Sequence, residues 1–172
     1  MNRDNVVYFS HGMESGPFGS KIMALAKVAE NLGFEVESPD YRSTMDADER
    51  VKMLLDLKPK ANKNLVLVGS SMGGYVATIA SKELKPQGLF LMAPAFYIPI
   101  FKYQEPKPYA EEILIIHAWQ DDIISAENII NFAKQHNIDL HLVNSTHNLA
   151  SKLPLIEVLF SHFLTKILEK EA

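Results

Sequence analysis

The pentapeptide Gly69-Ser70-Ser71-Met72-Gly73 constrains the fold of this chain more than any other feature of its sequence. It follows an apolar run at 65–68 and precedes a stretch of small residues at 74–80. Glycines two positions either side of a serine let a strand pass closely into a helix around a strained turn. Strand, G-x-S-x-G and helix in this order are typical of a turn that exposes a nucleophilic serine. We therefore predict that Ser71 is a nucleophile.

Apolar runs rich in β-forming residues alternate with segments of helical period along the chain. Strands are predicted at 6–10, 34–37, 65–68, 88–92, 113–117 and 138–143, and helices at 21–32, 46–57, 72–84, 126–136 and 154–169. Nearly continuous apolar strands separated by helices indicate a parallel sheet covered on both faces. The sequence therefore predicts an α/β fold: a three-layer sandwich with about six, mainly parallel, strands.

Composition narrows the classes of protein to consider. With 172 residues, 47% of them hydrophobic, the chain suits a single domain over 1–172. The net charge of −4, with scattered basic residues, argues against nucleic acid or an anionic membrane as partner. The absence of cysteine excludes a thiol nucleophile and cysteine-ligated metals. Because no apolar run is long enough for a signal sequence or a membrane span, we expect a cytoplasmic protein.

A serine nucleophile needs a base, and the base needs an orienting acid. His147 follows the last predicted strand directly, whereas His136 and His162 lie on predicted helices and His141 lies within a strand. We therefore predict that His147 is the base. The loop after the strand at 113–117 offers two adjacent carboxylates, Asp121 and Asp122. Either could orient the base, and the other would then be structural.

The developing oxyanion needs two backbone N–H donors. The residue after the nucleophile, Met72, supplies one of them. Met13 is the natural second donor, because Gly12 allows close backbone approach in the loop after the first strand. We expect a structural, hydrogen-bonded role for His11 in the same loop.

The sequence gives little support for two other kinds of site, a phosphate loop and a metal centre. The glycines at 12, 16 and 19 suggest a phosphate loop only loosely, because neither standard spacing is present. His117, Asp121, Asp122 and His147 are legitimate metal ligands but follow no established spacing. We expect neither a metal nor a cofactor.

The segment 93–110 interrupts the alternation of strands and helices with four prolines and several aromatic residues. A loop of this length in a compact domain is more often functional than not. We expect it to fold over Ser71 and to line a substrate pocket, with contributions from Phe96, Tyr97 and Phe101 and from Phe18 of the first loop. The alternative is a surface excursion whose rings complete the core.

These motifs resemble those of a small, cap-less bacterial esterase of the α/β-hydrolase superfamily. The likeness rests on the oxyanion loop His11-Gly12-Met13, on the Gly69–Gly73 pentapeptide and on a late acid loop followed by His147. It implies a reduced α/β-hydrolase fold with strand order 2-1-3-4-5-6. Matching His117 to the histidine of the usual acid loop places the acid at Asp121. Ala118 and Ser125 depart from that loop's usual glycine and proline.

The sequence thus predicts a serine hydrolase that forms an acyl-enzyme from a small or medium acyl ester. Thioesters and amides fit the same residues, because fold and triad do not fix the substrate. The alternative of another class is a catalytically silent scaffold that acts as a binding protein. In that case, we expect His147 to point away from Ser71, with no carboxylate within its reach.

Overall fold

The computed structural model describes residues 3–170, which form one sheet with helices on both faces. In chain order, the elements are β1 (Asn5–Ser10), α1 (Ser20–Asn31), β2 (Glu35–Glu37), α2 (Ala47–Asp56), β3 (Asn64–Ser70), α3 (Met72–Leu84), β4 (Gly88–Met92), β5 (Glu112–Ala118), α4 (Ala126–His136), β6 (Asp139–Val143), a 3-10 turn (Ala150–Lys152) and α5 (Leu153–Glu169). The predicted α/β architecture is therefore confirmed. The 3-10 turn was not predicted.

The sheet has six strands in the order β2-β1-β3-β4-β5-β6, and every neighbouring pair is parallel. This is the predicted order. In a parallel sheet, the carboxyl ends of the strands meet at one edge, where loops can carry functional groups. Ser71, Asp121 and His147 all follow carboxyl ends of strands (β3, β5 and β6).

Two apolar cores lie on the two faces of the sheet, because alternate strand residues point to opposite sides. In β1, Val6 and Tyr8 pack in the core with α2, α3 and α4, whereas Val7 and Phe9 pack in the core with α1 and α5. None of the helices in residues 3–170 is long and apolar enough to cross a membrane.

Local sequence explains where several helices begin and end. The Asp46 side chain caps α2 by accepting hydrogen bonds from the N–H groups of Asp48 and Glu49 at 2.8 and 3.1 Å. Pro154 lies in the first turn of α5, where its missing N–H costs nothing. Asn137 ends α4 in the left-handed conformation that asparagine tolerates well.

Candidate active site

Ser71 occupies the turn between β3 and α3 in a strained conformation, with φ 53° and ψ −119°. The flanking glycines are required by close backbone contacts. A Cβ on Gly69 would lie 2.3 Å from the Gly73 oxygen, and a Cβ on Gly73 would lie 1.8 Å from the Ser10 oxygen. The turn is tied to the neighbouring strand because the Ser71 N–H donates to the Met92 oxygen at 3.0 Å.

The structure brings His147 against Ser71, with the Nε2 and Oγ atoms 2.8 Å apart. On its other side, His147 Nδ1 lies 2.7 Å from Asp121 Oδ2. An ionised carboxylate only accepts hydrogen bonds, so Nδ1 carries the proton and donates it to Asp121. In this tautomer, Nε2 accepts a hydrogen bond from the Ser71 hydroxyl.

Asp121 is the carboxylate that reaches His147, and its side chain is fully buried. Its second oxygen, Oδ1, accepts from the N–H groups of Ile123 and Ile124 at 2.9 and 2.7 Å. Such a turn closed by an aspartate side chain holds the carboxylate in one orientation. Asp122, the alternative in the sequence, is exposed.

His117 lies beneath this acid loop, fully buried, and hydrogen-bonds the Ile124 oxygen through Nε2 at 2.9 Å. Burial lowers the pKa of His117, so the ring is neutral near physiological pH. Its Nε2 also lies 3.6 Å from Asp121 Oδ2. His117 thus holds the loop from below, in the structural position that the resemblance implies.

The turn that carries His147 is held by contacts that the sequence analysis did not identify. Leu149 is fully buried with φ 59°, a conformation that leucine rarely adopts, and its N–H donates to the Thr146 oxygen at 3.0 Å. The Lys21 ammonium, far away in the sequence, donates to the Asn148 oxygen at 2.7 Å. No sequence motif marks either residue.

Met13 and Met72 each offer a backbone N–H near the serine. Neither N–H donates a hydrogen bond to another group within residues 3–170. Met72 is the first residue of α3, where the helix dipole favours negative charge. Met13 follows Gly12, at which a Cβ would lie only 3.5 Å from the Ser71 Cβ. Both N–H groups are therefore without an acceptor among the described residues.

The rings predicted to line a pocket fall into two groups. Phe96 and Phe101 are core residues, 1% and 7% exposed, that pack against Phe132 and Tyr75 respectively. Phe18 is 74% exposed and Tyr97 is half-buried. The expected pocket role is thus corrected for Phe96 and Phe101, because both rings are used to cover α3 and α4.

The segment 93–110 begins beside the serine, where the Ala95 N–H donates to the Ser71 oxygen at 2.9 Å. Its later part runs along α2 and α3. The N–H groups of Lys102, Tyr103 and Tyr109 donate to Asp48, Tyr75 and Ser81, respectively. The expectation that the whole segment folds over Ser71 therefore fails beyond its first residues, because the remainder covers these two helices.

No group of three or more histidine, aspartate or glutamate side chains is placed to hold a metal ion in the part of the chain that the structure describes. The polar groups around Ser71 instead form a chain of hydrogen bonds from the Asp121 carboxylate to the serine hydroxyl. This geometry does not match the binding-protein alternative, for which His147 was expected to point away from Ser71.

The fold and this site define a member of the α/β-hydrolase superfamily, and solved structures agree. A protein of Xanthomonas campestris pv. campestris, described as a hydrolase of the alpha/beta superfamily, is 32% identical, with a TM-score of 0.86 over 94% of this chain and 99% of that one. Est1E from Butyrivibrio proteoclasticus is 17% identical, with a TM-score of 0.81 over 98% and 90% of the two chains.

A serine hydrolase without lid, also from Xanthomonas campestris, is 19% identical, with a TM-score of 0.67 over 94% of this chain and 81% of that one. Within the superfamily, the chain belongs to the Uncharacterised protein family (UPF0227), whose model matches residues 5–104. No curated protein matches this sequence.

Proposed function

We propose that this protein is a serine hydrolase that cleaves small or medium acyl esters through an acyl-enzyme intermediate. The observation that carries the proposal is the unbroken hydrogen-bond chain from Asp121 through His147 to Ser71, with links of 2.7 and 2.8 Å. A nucleophile, a base and an orienting acid within hydrogen-bond reach are the geometric requirements of acyl transfer.

In the acylation half-reaction, Ser71 Oγ attacks the ester carbonyl carbon while His147 Nε2 takes the hydroxyl proton. Asp121 keeps the imidazole in the required tautomer and stabilises the imidazolium that forms. The N–H groups of Met13 and Met72 donate to the developing oxyanion. Collapse of the tetrahedral intermediate breaks the ester C–O bond, and the leaving alkoxide receives the proton from His147.

In the deacylation half-reaction, water replaces the alcohol. His147 Nε2 removes a proton from the water as its oxygen attacks the acyl carbon, and the same two N–H groups stabilise the second oxyanion. Return of the proton to Ser71 Oγ releases the carboxylic acid. The residues present therefore complete the reaction without a cofactor.

The loop between β1 and α1 exposes apolar side chains. We therefore expect the protein to recognise an apolar acyl group of the substrate. Phe18 and Met13 are 74% and 41% exposed, and both lie in the loop that supplies the Met13 N–H. We assign a contact with the acyl group to Phe18 and Met13, and to the half-buried Tyr97. These three side chains together offer a contact surface that suits a small or medium acyl chain rather than a long one.

Hydrolysis of p-nitrophenyl esters, from acetyl to palmitoyl, tests this assignment. We expect kcat/KM to be highest for acyl chains shorter than dodecanoyl. A maximum at dodecanoyl or longer would contradict the substrate class. Absence of hydrolysis across the series, and on matched thioesters and anilides, would contradict the proposed function itself.

A further inference from the structure

Arg50 of α2 is a buried cation without an acidic partner. Its side chain is fully buried, and no carboxylate within residues 3–170 forms an ion pair with it. Asp40, whose charge acts on Arg50, forms its ion pair with Arg42 instead. The guanidinium instead donates to three backbone oxygens: Nε to Thr44 at 3.0 Å, Nη1 to Gly12 at 3.1 Å and Nη2 to Met13 at 3.4 Å. Arginine is rarely buried unpaired, so a specific role is expected.

The Gly12 oxygen accepts a second hydrogen bond, from His11. His11 is 1% exposed, and its Nε2 accepts from the Tyr41 N–H at 2.9 Å. The ring proton therefore lies on Nδ1, which donates to the Gly12 oxygen at 2.7 Å. One carbonyl thus accepts from two buried side chains, Arg50 of α2 and His11 of the same loop, and from the Ser15 hydroxyl at the longer distance of 3.4 Å.

This arrangement fixes the direction of the neighbouring N–H. In a trans peptide, the carbonyl oxygen and the following N–H point in opposite directions. With the Gly12 oxygen directed towards Arg50 and His11, the Met13 N–H points away from these two side chains. Gly12 itself lies against Ser71, so this N–H belongs to the rim of the serine site.

We infer that Arg50, acting with His11, is a positioning residue that aims the Met13 N–H at the oxyanion formed on Ser71. The inference rests on the proposed function and extends it to residues that do not touch the substrate. Arg50 acts through the Gly12–Met13 peptide, whose oxygen would be held only by donors of its own loop, His11 and Ser15, if Arg50 were lost. A misplacement of about 1 Å at a reacting centre can cost about 100-fold in rate.

The test compares Arg50→Met with Arg42→Met. Methionine keeps much of the side-chain volume of Arg50 but removes all three hydrogen bonds. Arg42 is exposed and paired with Asp40, so its replacement removes a nearby positive charge and leaves the Gly12 oxygen untouched. We expect kcat of Arg50→Met to fall about 10- to 100-fold with KM within about threefold. Arg42→Met should keep both constants.

A trifluoromethyl ketone provides the readout that a merely structural role would not change. It forms a tetrahedral oxyanion on the serine, whereas KM reports mainly on ground-state binding. The ketone should bind Arg50→Met more weakly by the same factor as the loss of kcat/KM. Rates are normalised to the folded fraction, measured by circular dichroism. Arg50→Lys, which keeps the charge with fewer donors in the required geometry, is judged by the same criteria if Arg50→Met does not fold.

Unchanged normalised kcat, or unchanged ketone affinity, in the folded Arg50 variant would overturn the inference. Failure of the proposed function would be distinct, because the wild-type protein would then hydrolyse no ester and bind no ketone. An active wild type with a fully active Arg50 variant refutes only the positioning role.

Discussion

The site joins two regions that are built in different ways. The elbow region, comprising β3, Ser71 and α3, is held by backbone contacts between regular elements and by glycines that permit them. The acid–base region, comprising the loops 119–125 and 144–149, is held by side chains that meet across 26 positions of sequence, and it contacts Ser71 across 76 positions. The first region is encoded in five consecutive residues, whereas the second depends on the complete fold.

The largest expected effect tests the elbow region. Ser71→Ala should lower kcat by about four to six orders of magnitude, because the nucleophile is lost and only binding and oxyanion stabilisation remain. Ser70→Ala is the matched control. It removes the hydroxyl of the preceding serine and should keep most of the activity. Ester hydrolysis by both purified variants provides the measurement, and equal losses would show that the elbow assignment is incorrect.

The next effect tests the acid–base region. Asp121→Asn should lower kcat by about 10³- to 10⁴-fold, because an amide in place of the carboxylate fails to hold the required His147 tautomer. Asp122→Asn, at an exposed position, should stay within about threefold of wild type. Steady-state kinetics of the two variants separate the aspartates, and a larger loss in Asp122→Asn would move the acid by one position.

A third effect concerns stability. Gly73→Ala should destabilise the protein by about 3 kcal/mol, the upper end of the usual cost of overpacking, because its Cβ would meet the Ser10 carbonyl and neither backbone can easily move. Gly16→Ala should change the free energy of unfolding by less than about 1 kcal/mol, since its Cβ would make ordinary contacts with the Arg42 side chain. Urea titration measures both, and similar midpoints would refute the tight-turn account.

The smallest expected effect concerns two buried histidines, His11 and His117, and the dependence of stability on pH. Burial lowers the pKa of His11 and of His117, so the unfolded chain binds protons that the folded state does not. The contribution of each histidine to the free energy of unfolding is therefore fully present above about pH 6.5. It is lost as the pH falls, by at most about 1.4 kcal/mol per pH unit for each histidine.

Urea unfolding at several pH values between about 7.5 and 5 measures this slope. His117→Gln should reduce it, because the Gln side chain can donate to the Ile124 oxygen but does not titrate. His162→Gln, at an exposed position on α5, should leave the slope unchanged. A slope equal in His117→Gln and wild type would contradict a neutral, buried His117.

The elbow region could be predicted from the sequence more completely than the acid–base region, because the elbow is encoded in consecutive residues. Strand count and strand order followed from periodicity and from the resemblance, because each strand is a local apolar run. Ser71 followed from a contiguous motif. Asp121 could not be separated from Asp122 by residue type alone, since the choice depends on a turn in which Asp121 binds two N–H groups.

The role of Arg50 and the burial of Phe96 and Phe101 could not be predicted from local sequence patterns. Arg50 falls on the apolar stripe of α2 beside Ala47, Val51 and Leu54, and only this unusual placement could have marked it. Phe96 and Phe101 were misjudged because proline density indicates an irregular segment but not which surface it covers. Hydrogen bonds to side chains of α2 and α3 determine that path, and they exist only in the folded chain.

The central claim, that Ser71 is an activated nucleophile, is tested most directly by a fluorophosphonate probe and peptide mapping by mass spectrometry. Phosphonylation needs the serine, the base and the oxyanion donors together but no knowledge of the natural substrate. We expect a single adduct on Ser71 in the wild type and in Ser70→Ala, and none in Ser71→Ala. An adduct on any other residue, or no adduct under conditions that label a reference serine esterase, would contradict the claim.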